Sequence, residues 1–295
     1  MRLRKSSLLC VLFLWTETQQ QIPPSEEIRF YDRSKDDDET ALNNEEFDYA
    51  AAHLPPPKPF NYRGILRVDR FEGDIIHPGL SLLNVGVFMG ARTRSASEAG
   101  AIPIMQTWPN AIVPYTISAQ YSSDSRIAIA TAFNEISKST CIKFVAKSIS
   151  DNDYIHIVPG DGCYSSIGKV GDKQLISLGG PMCMEHGVIL HMLMHSMGFL
   201  HEHTRAMRDA YLKIHRENIV YGADEHFERY YQPLLDYLSS VYLYDYDSVT
   251  HFPRNAFSKN DKVTIETKDP AATIGRIFNL SDKDVLKINK LYDCA

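Results

Sequence analysis

Three histidines lie within one apolar stretch of the chain, His191-Met192-Leu193-Met194-His195-Ser196-Met197-Gly198-Phe199-Leu200-His201. His191 and His195 are four residues apart, so a helix would place both imidazoles on one face, close enough to share a metal ion. Gly198 permits a left-handed turn after that helix, which can bring His201 to a third position. Three neutral imidazoles with one open coordination position are typical of a catalytic zinc site.

The alternative interpretation is that these are three unrelated core or surface histidines. The chain has 11 histidines, and a His pair at this spacing is expected by chance roughly 0.4 times. A third His at the right distance, with Gly in between, lowers the chance expectation to about one in a thousand. Because histidine is polar and three of them interrupt an apolar segment, we predict a metal site.

Composition sets limits on the remaining possibilities. The chain is 44% hydrophobic and 23% charged, and this composition excludes a fully disordered protein, a collagen and a coiled coil. Its 295 residues allow about two folded units, or one large domain with processed segments. A net charge of −6 gives no basic footprint for nucleic acid or an anionic membrane. Residues 25–48 hold ten acids against three bases, a net of −7.

The amino terminus has the pattern of a secretory signal. Arg2, Arg4 and Lys5 precede the apolar run 8–15, which is too short to span a bilayer, a task that needs roughly 20 apolar residues. We assign the signal to residues 1–20, although no small-x-small cleavage pattern follows the run; the alternative is an N-terminal core helix. The sequence therefore predicts a secreted, extracellular protein with no membrane span.

Secretion changes the interpretation of the cysteines. Cys10 lies in the signal, and four cysteines remain, at positions 141, 163, 183 and 294. An even number in an oxidising compartment predicts two disulfides, and four cysteines allow three connectivities. Spacing alone does not choose among them.

The rest of the chain divides by composition. Residues 21 to about 60 are acidic, Pro-rich towards their end and too poor in periodic apolar residues to fold alone, which indicates a tail or linker. A compact domain begins at about residue 99. It has four predicted strands, Val113–Ile117, Ile142–Val145, Tyr154–Val158 and Leu175–Leu178, and three predicted helices, Asp124–Lys138, Val188–Gly198 and one capped by Ser281 that runs to Leu291.

Together these motifs resemble the astacin family of metzincin metalloendopeptidases, over about residues 99–295. The run Val188–Asp209 is similar to the zinc signature H-E-x-x-H-x-x-G-x-x-H-E with its Arg-rich continuation. Further matches are Trp108-Pro109-Asn110, Pro114-Tyr115, the Met-turn run Tyr244–Phe252 and the final helix from Leu280. The resemblance implies an α+β fold, a two-lobed metzincin/zincin-like catalytic domain. Its N-terminal lobe has a twisted mixed sheet and the active-site helix, and its C-terminal lobe is mostly irregular with a final helix.

The resemblance also assigns roles to particular residues. It implies one Zn²⁺ per chain bound by His191, His195 and His201, and it implies two disulfides. These pair Cys141 with Cys294 and Cys163 with Cys183.

A pro-segment over residues 21–98 is a further implication. Phe71-Glu72-Gly73-Asp74 matches the family motif whose Asp ligates zinc in the zymogen, although Gly-Asp alone is a common turn. Removal of the segment in the family frees an amino group that is buried near the residue matched by Glu202. That new terminus would lie near Ala99, after a trypsin-like cut at Arg94.

Three positions depart from the family pattern. The general base Glu is replaced by Met192, whose thioether cannot usefully accept a proton at neutral pH. The Tyr that ligates zinc at rest and stabilises the developing oxyanion is replaced by Phe252. Thr250 stands where the family has the Met beneath the zinc histidines. We therefore expect no intact catalytic set.

Two functions from different classes follow. The first is a secreted, zinc-binding protein with little or no peptidase activity that binds an extracellular protein or peptide in its cleft. The second is a metalloendopeptidase of low efficiency that acts without a base or borrows one from Glu185 or Glu202. A third possibility, a metal-free extracellular module, predicts no stoichiometric zinc.

Asn279-Leu280-Ser281 is the one N-glycosylation sequon in the sequence. The sequence makes no prediction about the oligomeric state.

Overall fold

The computed structural model describes residues 38–54, 65–76, 106–229, 244–275 and 278–294. The predicted signal, Arg94 and Ala99 lie outside these ranges. The described strands are β1 (Glu39–Thr40), β2 (Ile112–Ser118), β3 (Lys143–Ala146), β4 (Tyr154–Val158), β5 (Cys163–Ser165), β6 (Lys173–Leu178), β7 (Leu212–Ile214) and β8 (Ile265–Thr267). The described α-helices are α1 (Asn44–Ala52), α2 (Ser123–Ser139), α3 (His186–Ser196) and α4 (Asp282–Leu291).

Six of the strands form one mixed sheet. Its order is β1-β2-β4-β6-β5, and β3 also pairs with β2. β2, β3, β4 and β6 are parallel, whereas β1 and β5 are antiparallel to their neighbours. β5 is an edge strand of this sheet. It bonds to β6 on one side, and its other side is open to pairing with another segment. The remaining two strands, β7 and β8, form a separate antiparallel pair.

Two hydrophobic cores account for the two lobes. The larger core joins the sheet to α2 and α3, and the smaller core lies in the C-terminal half around Leu212, Phe227, Tyr244, Phe252 and Ile265. α4 contributes Ile288 to the larger core. The structure confirms the predicted α+β, two-lobed fold.

Local sequence signals explain the helix ends. Ser122 caps α2 and Ser281 caps α4, each accepting a hydrogen bond from the backbone N–H three residues on. The four predicted strands and three predicted helices are present. α3 begins and ends two residues earlier than predicted, because the backbone has left the helix before Gly198, whose φ is +107°.

Residues 38–54 do not form a tail or linker, so that prediction is wrong here. β1 pairs with β2, and α1 packs on α2. An Asn43/Glu46 capping box starts α1, and the Arg126 side chain on α2 bonds to the Glu46 carboxylate and to the Ala41 carbonyl. The segment is too short to fold alone, but the sheet and α2 supply the partners that it lacks.

Two disulfides tie the elements together. Cys141, after α2, bonds to Cys294, after α4, and Cys163 in β5 bonds to Cys183, just before α3. These are the pairings that the resemblance implies. Within the described ranges, no helix is both long and apolar enough to cross a membrane.

Candidate metal centre

Helix α3 places two of the three histidines. The helix is buried from Gly187 to Ser196, so it runs through the core instead of along its surface. His191 and His195 project from one face, and their ring centroids lie 4.5 Å apart. The chain then turns at Gly198 and returns His201 to the same place, with its ring 4.7 Å from that of His195.

Each ring is held by a hydrogen bond at Nδ1. His191 Nδ1–H donates to the Val249 carbonyl at 2.8 Å, and His195 Nδ1–H donates to the Phe199 carbonyl at 2.7 Å. His201 Nδ1 contacts the Glu72 carboxylate at 2.6 Å. These bonds leave the three Nε2 atoms to face a common point, which is how metal-binding imidazoles are oriented in proteins.

Asp74 completes the group from the opposite side. Its Oδ2 lies 2.9 Å from His191 Nε2, and its Oδ1 lies 3.4 Å and 3.3 Å from the Nε2 atoms of His195 and His201. The four ligand atoms all lie within 4.8 Å of one another, and all four residues are buried. The structure therefore brings together the four residues that the sequence singled out.

The backbone around Asp74 sets its position. Ser165 N–H in β5 donates to the Asp74 carbonyl at 3.1 Å, and Ile76 N–H donates to the Ser165 carbonyl at 2.9 Å. Gly73 has a φ of +89°, and a Cβ at this position would lie 2.9 Å from Phe257 Cζ. Glycine is required here both by the conformation and by the close packing.

The buried polar atoms of the group fit a bound cation. Among the described residues, Asp74 Oδ1 and His201 Nε2 are buried without a hydrogen-bond partner, an arrangement that is costly unless another group satisfies them. Three imidazole nitrogens and one carboxylate oxygen form a ligand set of the type that Zn²⁺ accepts in tetrahedral geometry. The donors present therefore suit zinc.

The electrostatics of the group favour positive charge at its centre. Burial opposes ionisation of Asp74, but the charges of His201, His195 and His191 hold its pKa well below the usual range. Burial lowers the pKa of His195 to about 4, so this ring is neutral and offers a lone pair. Burial acts in the same direction on His201, but Asp74 and Glu72 outweigh it and raise that pKa to about 9.

Two departures from the family pattern lie in this centre. Met192 follows the first histidine and is fully buried in the larger core. Phe252 is also fully buried; its ring lies 4.4 Å from the His201 ring and stacks on His203 at 3.9 Å. A thioether and a phenyl ring therefore stand where the resemblance implies a carboxylate and a phenol.

Thr250 belongs to a turn that α4 fixes in place. The Asp284 carboxylate accepts from Ser248 Oγ at 2.7 Å and from Val249 N–H at 2.8 Å. Val249 is the residue whose carbonyl holds His191, so α4 supports the metal centre through this turn. Thr250 Oγ1 lies 3.0 Å from Ser248 Oγ, and its hydroxyl is thus taken up within the turn.

Glu202 lies in a buried charge cluster, defined here as Glu202, Asp245, Asp284, Lys287 and Arg205. Its carboxylate bonds to Arg205, to the Asp245 N–H at 2.9 Å and to Lys287 Nζ at 3.1 Å. Burial raises its pKa, but Lys287 and Arg205 outweigh that effect and lower the pKa to about 2. Its proposed role beside a new amino terminus stays a prediction.

The sequence reasoning missed one residue beside the metal centre and one in the charge cluster. Glu72 occupies the variable position of the Asp74 motif, and its carboxylate contacts His201. Lys287 lies in the predicted last helix, and its Nζ contacts the Asp284 carboxylate at 2.9 Å. The sequence signal for Glu72 is its position two residues before Asp74. Asn279, the sequon residue, is exposed, and its glycosylation stays a prediction.

Comparisons with known proteins agree with this geometry. The family model of Astacin, a peptidase family, matches residues 101–293. Zinc metalloproteinase nas-13 of Caenorhabditis elegans is 42% identical over 271 residues, which cover 90% of this chain and 60% of nas-13. The low choriolytic enzyme of Oryzias latipes is 38% identical over 229 residues, 76% of this chain and 78% of that enzyme.

A solved structure of a hatching enzyme is also similar to this chain. High choriolytic enzyme 1, a hatching enzyme zinc-protease from Oryzias latipes, superposes with a TM-score of 0.59 and 34% identity, covering 65% of this chain and 95% of that one. The chain spans less than two thirds of the nematode relatives nas-13 and nas-15, 60% and 49% of their lengths. Since the family model covers most of the chain and the metal group is in place, the chain belongs to the astacin family of zinc metalloproteinases.

Proposed function

We propose that the protein is a secreted astacin-family member that binds one Zn²⁺ through His191, His195 and His201 and has lost most or all peptidase activity. It would act by binding an extracellular peptide or partner protein in its cleft. The observation that carries this proposal is the pair of side chains at the centre, Met192 and Phe252, which keep the packing of the site and lack its acid–base and hydroxyl groups.

The remaining residues divide into those that hold the metal and those that would perform chemistry. Zinc in such a site supplies Lewis-acid chemistry towards a peptide carbonyl. The Nδ1 hydrogen bonds to Val249 and Phe199 fix two ligand rings. Met192 cannot take a proton from an attacking water or pass it to a leaving amine. Phe252 cannot donate a hydrogen bond to a developing oxyanion.

The second candidate is a metalloendopeptidase of low efficiency with a borrowed base. The Asp74 carboxylate favours it, because a residue that blocks a metal centre is useful where activity must be restrained. Glu202 is a poor base, since its carboxylate already bonds to Lys287 and Arg205 and its pKa is lowered to about 2. Glu185 lies at the start of α3, ten residues before His195, and would have to act from there.

The division of the chain is part of the proposal. We assign a signal to residues 1–20, a pro-segment to residues 21–98 and the astacin-like domain to residues 99–295. Asp74 supports the role of the pro-segment, because a residue outside the domain reaches the three histidines. The two disulfides support an oxidising compartment.

One comparison tests the proposal. The secreted full chain and its Met192→Glu, Phe252→Tyr double variant are processed identically, and their zinc content and peptide hydrolysis are measured. We expect about one zinc per chain in both proteins, and hydrolysis slower by at least about 10²-fold in the unmodified chain. Equal rates that a chelator abolishes would contradict the loss of activity, and absence of zinc from both proteins would contradict the metal site.

A further inference from the structure

The segment that carries Asp74 also places a buried arginine against β5. Arg70 Nη2–H donates to the Asp161 carbonyl at 2.7 Å, and Nη1–H donates to the Cys163 carbonyl at 3.2 Å. The guanidinium carbon lies 4.3 Å from the centre of the Tyr164 ring, and the residue is 4% exposed. We call the groups that surround this guanidinium, from residues Asp161, Gly162, Cys163 and Tyr164, the Arg70 cradle.

The backbone of the cradle is shaped by the domain itself. Gly162 has a φ of +82° and turns its own carbonyl away, where it accepts from Ser177 Oγ at 2.7 Å and from Gly179 N–H at 3.1 Å. The carbonyls on either side of Gly162 are thereby left to the guanidinium. The Cys163–Cys183 disulfide also holds this strand, so the cradle has supports besides Arg70.

The groups of the cradle suit a cation. Two carbonyl oxygens and an aromatic face are the partners that a buried guanidinium requires. The Asp161 carboxylate lies next to them and bonds to Arg67 at 2.7 Å, and Arg67 belongs to the same segment as Arg70. When the segment leaves, both cations leave with it, and the groups that remain are electron-rich.

The cradle is continuous with the metal centre. Cys163 supplies a carbonyl to Arg70, and two residues further along β5, Ser165 exchanges backbone hydrogen bonds with Asp74 and Ile76. A peptide that replaces the segment along this strand edge would run from the metal centre past the cradle. One of its side chains would then fall where Arg70 lies.

We propose that the Arg70 cradle is a subsite for an arginine side chain of a bound peptide. Arg70 occupies it in the full chain, and an arginine of the peptide ligand occupies it after the segment has left. The inference rests on the proposed function, in which the cleft binds peptides, and it adds the chemical class of one ligand residue.

The test is chemical rescue in the full chain. Arg70→Ala empties the cradle and should lower the melting temperature. Nα-acetyl-arginine amide at about 10 mM should raise the melting temperature of Arg70→Ala by about 3 °C more than that of the unmodified chain. Nα-acetyl-citrulline amide, which has the same shape and no charge, should give no such difference. The control is Arg216→Ala, because Arg216 is half-exposed and pairs with Asp224 and Glu228, which are not cradle residues.

The inference is overturned if the arginine amide stabilises Arg70→Ala no more than it stabilises the unmodified chain, or if the citrulline amide does as well. Should Arg70→Ala fail to fold, Arg70→Lys and Arg70→Met replace it, since their side chains are similar in length and only lysine is charged. Arg70→Lys should melt higher; equal melting temperatures would show that the cradle selects length and not charge. Neither measurement uses peptidase activity, so a negative result here leaves the proposed function intact.

Discussion

The Glu72 carboxylate contacts both nitrogens of His201 that face away from the metal centre. Its Oε2 lies 2.6 Å from the ring Nδ1 and accepts from the backbone N–H at 3.2 Å. The other two histidines are oriented by carbonyls at Val249 and Phe199, which lie within the domain. The orientation of the third histidine therefore depends on Glu72, which precedes the residues 101–293 that the family model matches.

Removing this carboxylate should weaken metal binding in the full chain. Glu72→Ala leaves His201 Nδ1 without its partner, and loss of such a contact typically costs 10- to 100-fold in metal affinity. We expect a zinc affinity lower by about that factor, measured by competition with a chromogenic chelator. Glu72→Gln, which keeps one acceptor oxygen, should lose less. Glu45→Ala, an exposed site on α1, is the control, and equal affinities for Glu72→Ala and Glu45→Ala would contradict the prediction.

Neutralising Asp245 should stabilise the protein above pH 6. Burial raises its pKa to about 6 from an ordinary value of 3.8, so the folded state holds this proton more tightly than the unfolded state does. The resulting stability is fully present below about pH 4 and is lost as the pH rises through about 6. Asn carries no charge at any pH. Asp245→Asn should therefore raise the free energy of unfolding at pH 7.5 by about 1–3 kcal/mol.

Urea unfolding at pH 7.5 and 4.5, with equal zinc in both samples, measures this effect. The difference between Asp245→Asn and the unmodified chain should shrink at the lower pH. Asp282→Asn, an exposed substitution at the start of α4, should change stability little at either pH. A gain from Asp245→Asn that is the same at both pH values would show that its cause is not the proton.

The two disulfides should differ in their effect on stability. Cys141 and Cys294 are 153 residues apart, whereas Cys163 and Cys183 are 20 residues apart. In the chain-entropy model, the longer loop gives about 5 kcal/mol and the shorter loop about 3 kcal/mol. By calorimetry, the variant with Cys141 and Cys294 both changed to Ser should therefore melt at a lower temperature than the variant with Cys163 and Cys183 both changed to Ser. The reverse order would show that native-state contacts, and not loop closure, set the contribution of each bond.

Arg126 should control the attachment of residues 38–54. Its side chain bonds to the Glu46 carboxylate at 2.5 Å, to Thr40 Oγ1 at 2.8 Å and to the Ala41 carbonyl at 2.6 Å. Arg126→Ala should leave these groups unpaired and speed amide hydrogen exchange in α1 by at least about tenfold. Lys138→Ala, on an exposed turn of the same helix, should leave the exchange unchanged. If exchange in Arg126→Ala is unchanged, residues 38–54 are held by the pairing of β1 and the packing of α1, and Arg126 is not needed.

Sequence reasoning was strongest where the chemistry is local. His191 and His195 lie one turn apart on α3, and Gly198 follows two residues after the helix ends. Their spacing alone predicts the arrangement that the structure has. The Ser281 cap of α4 is local in the same sense. The contacts of Glu72 with His201 and of Arg70 with Cys163 join residues 129 and 93 positions apart, and no periodicity of either residue points to its partner.

The error at residues 38–54 has the same origin. Composition shows that such a segment cannot bury enough apolar surface by itself. It does not show that Arg126, 80 residues away, provides a partner for Glu46, or that the edge of β2 accepts β1. An acidic segment that would be solvated on its own is ordered where another part of the chain supplies cations and an open strand edge.

A strand and a helix from residues 38–54 are built into the fold, and their contacts do not depend on an uncut chain. If the chain is cut near residue 99, the break removes a covalent tether but none of the contacts that hold β1, α1, Arg70 and Asp74. The severed segment then becomes a separate ligand of the domain, and its occupancy follows mass action. Dilution, and not cleavage alone, would set how much of the metal centre is open.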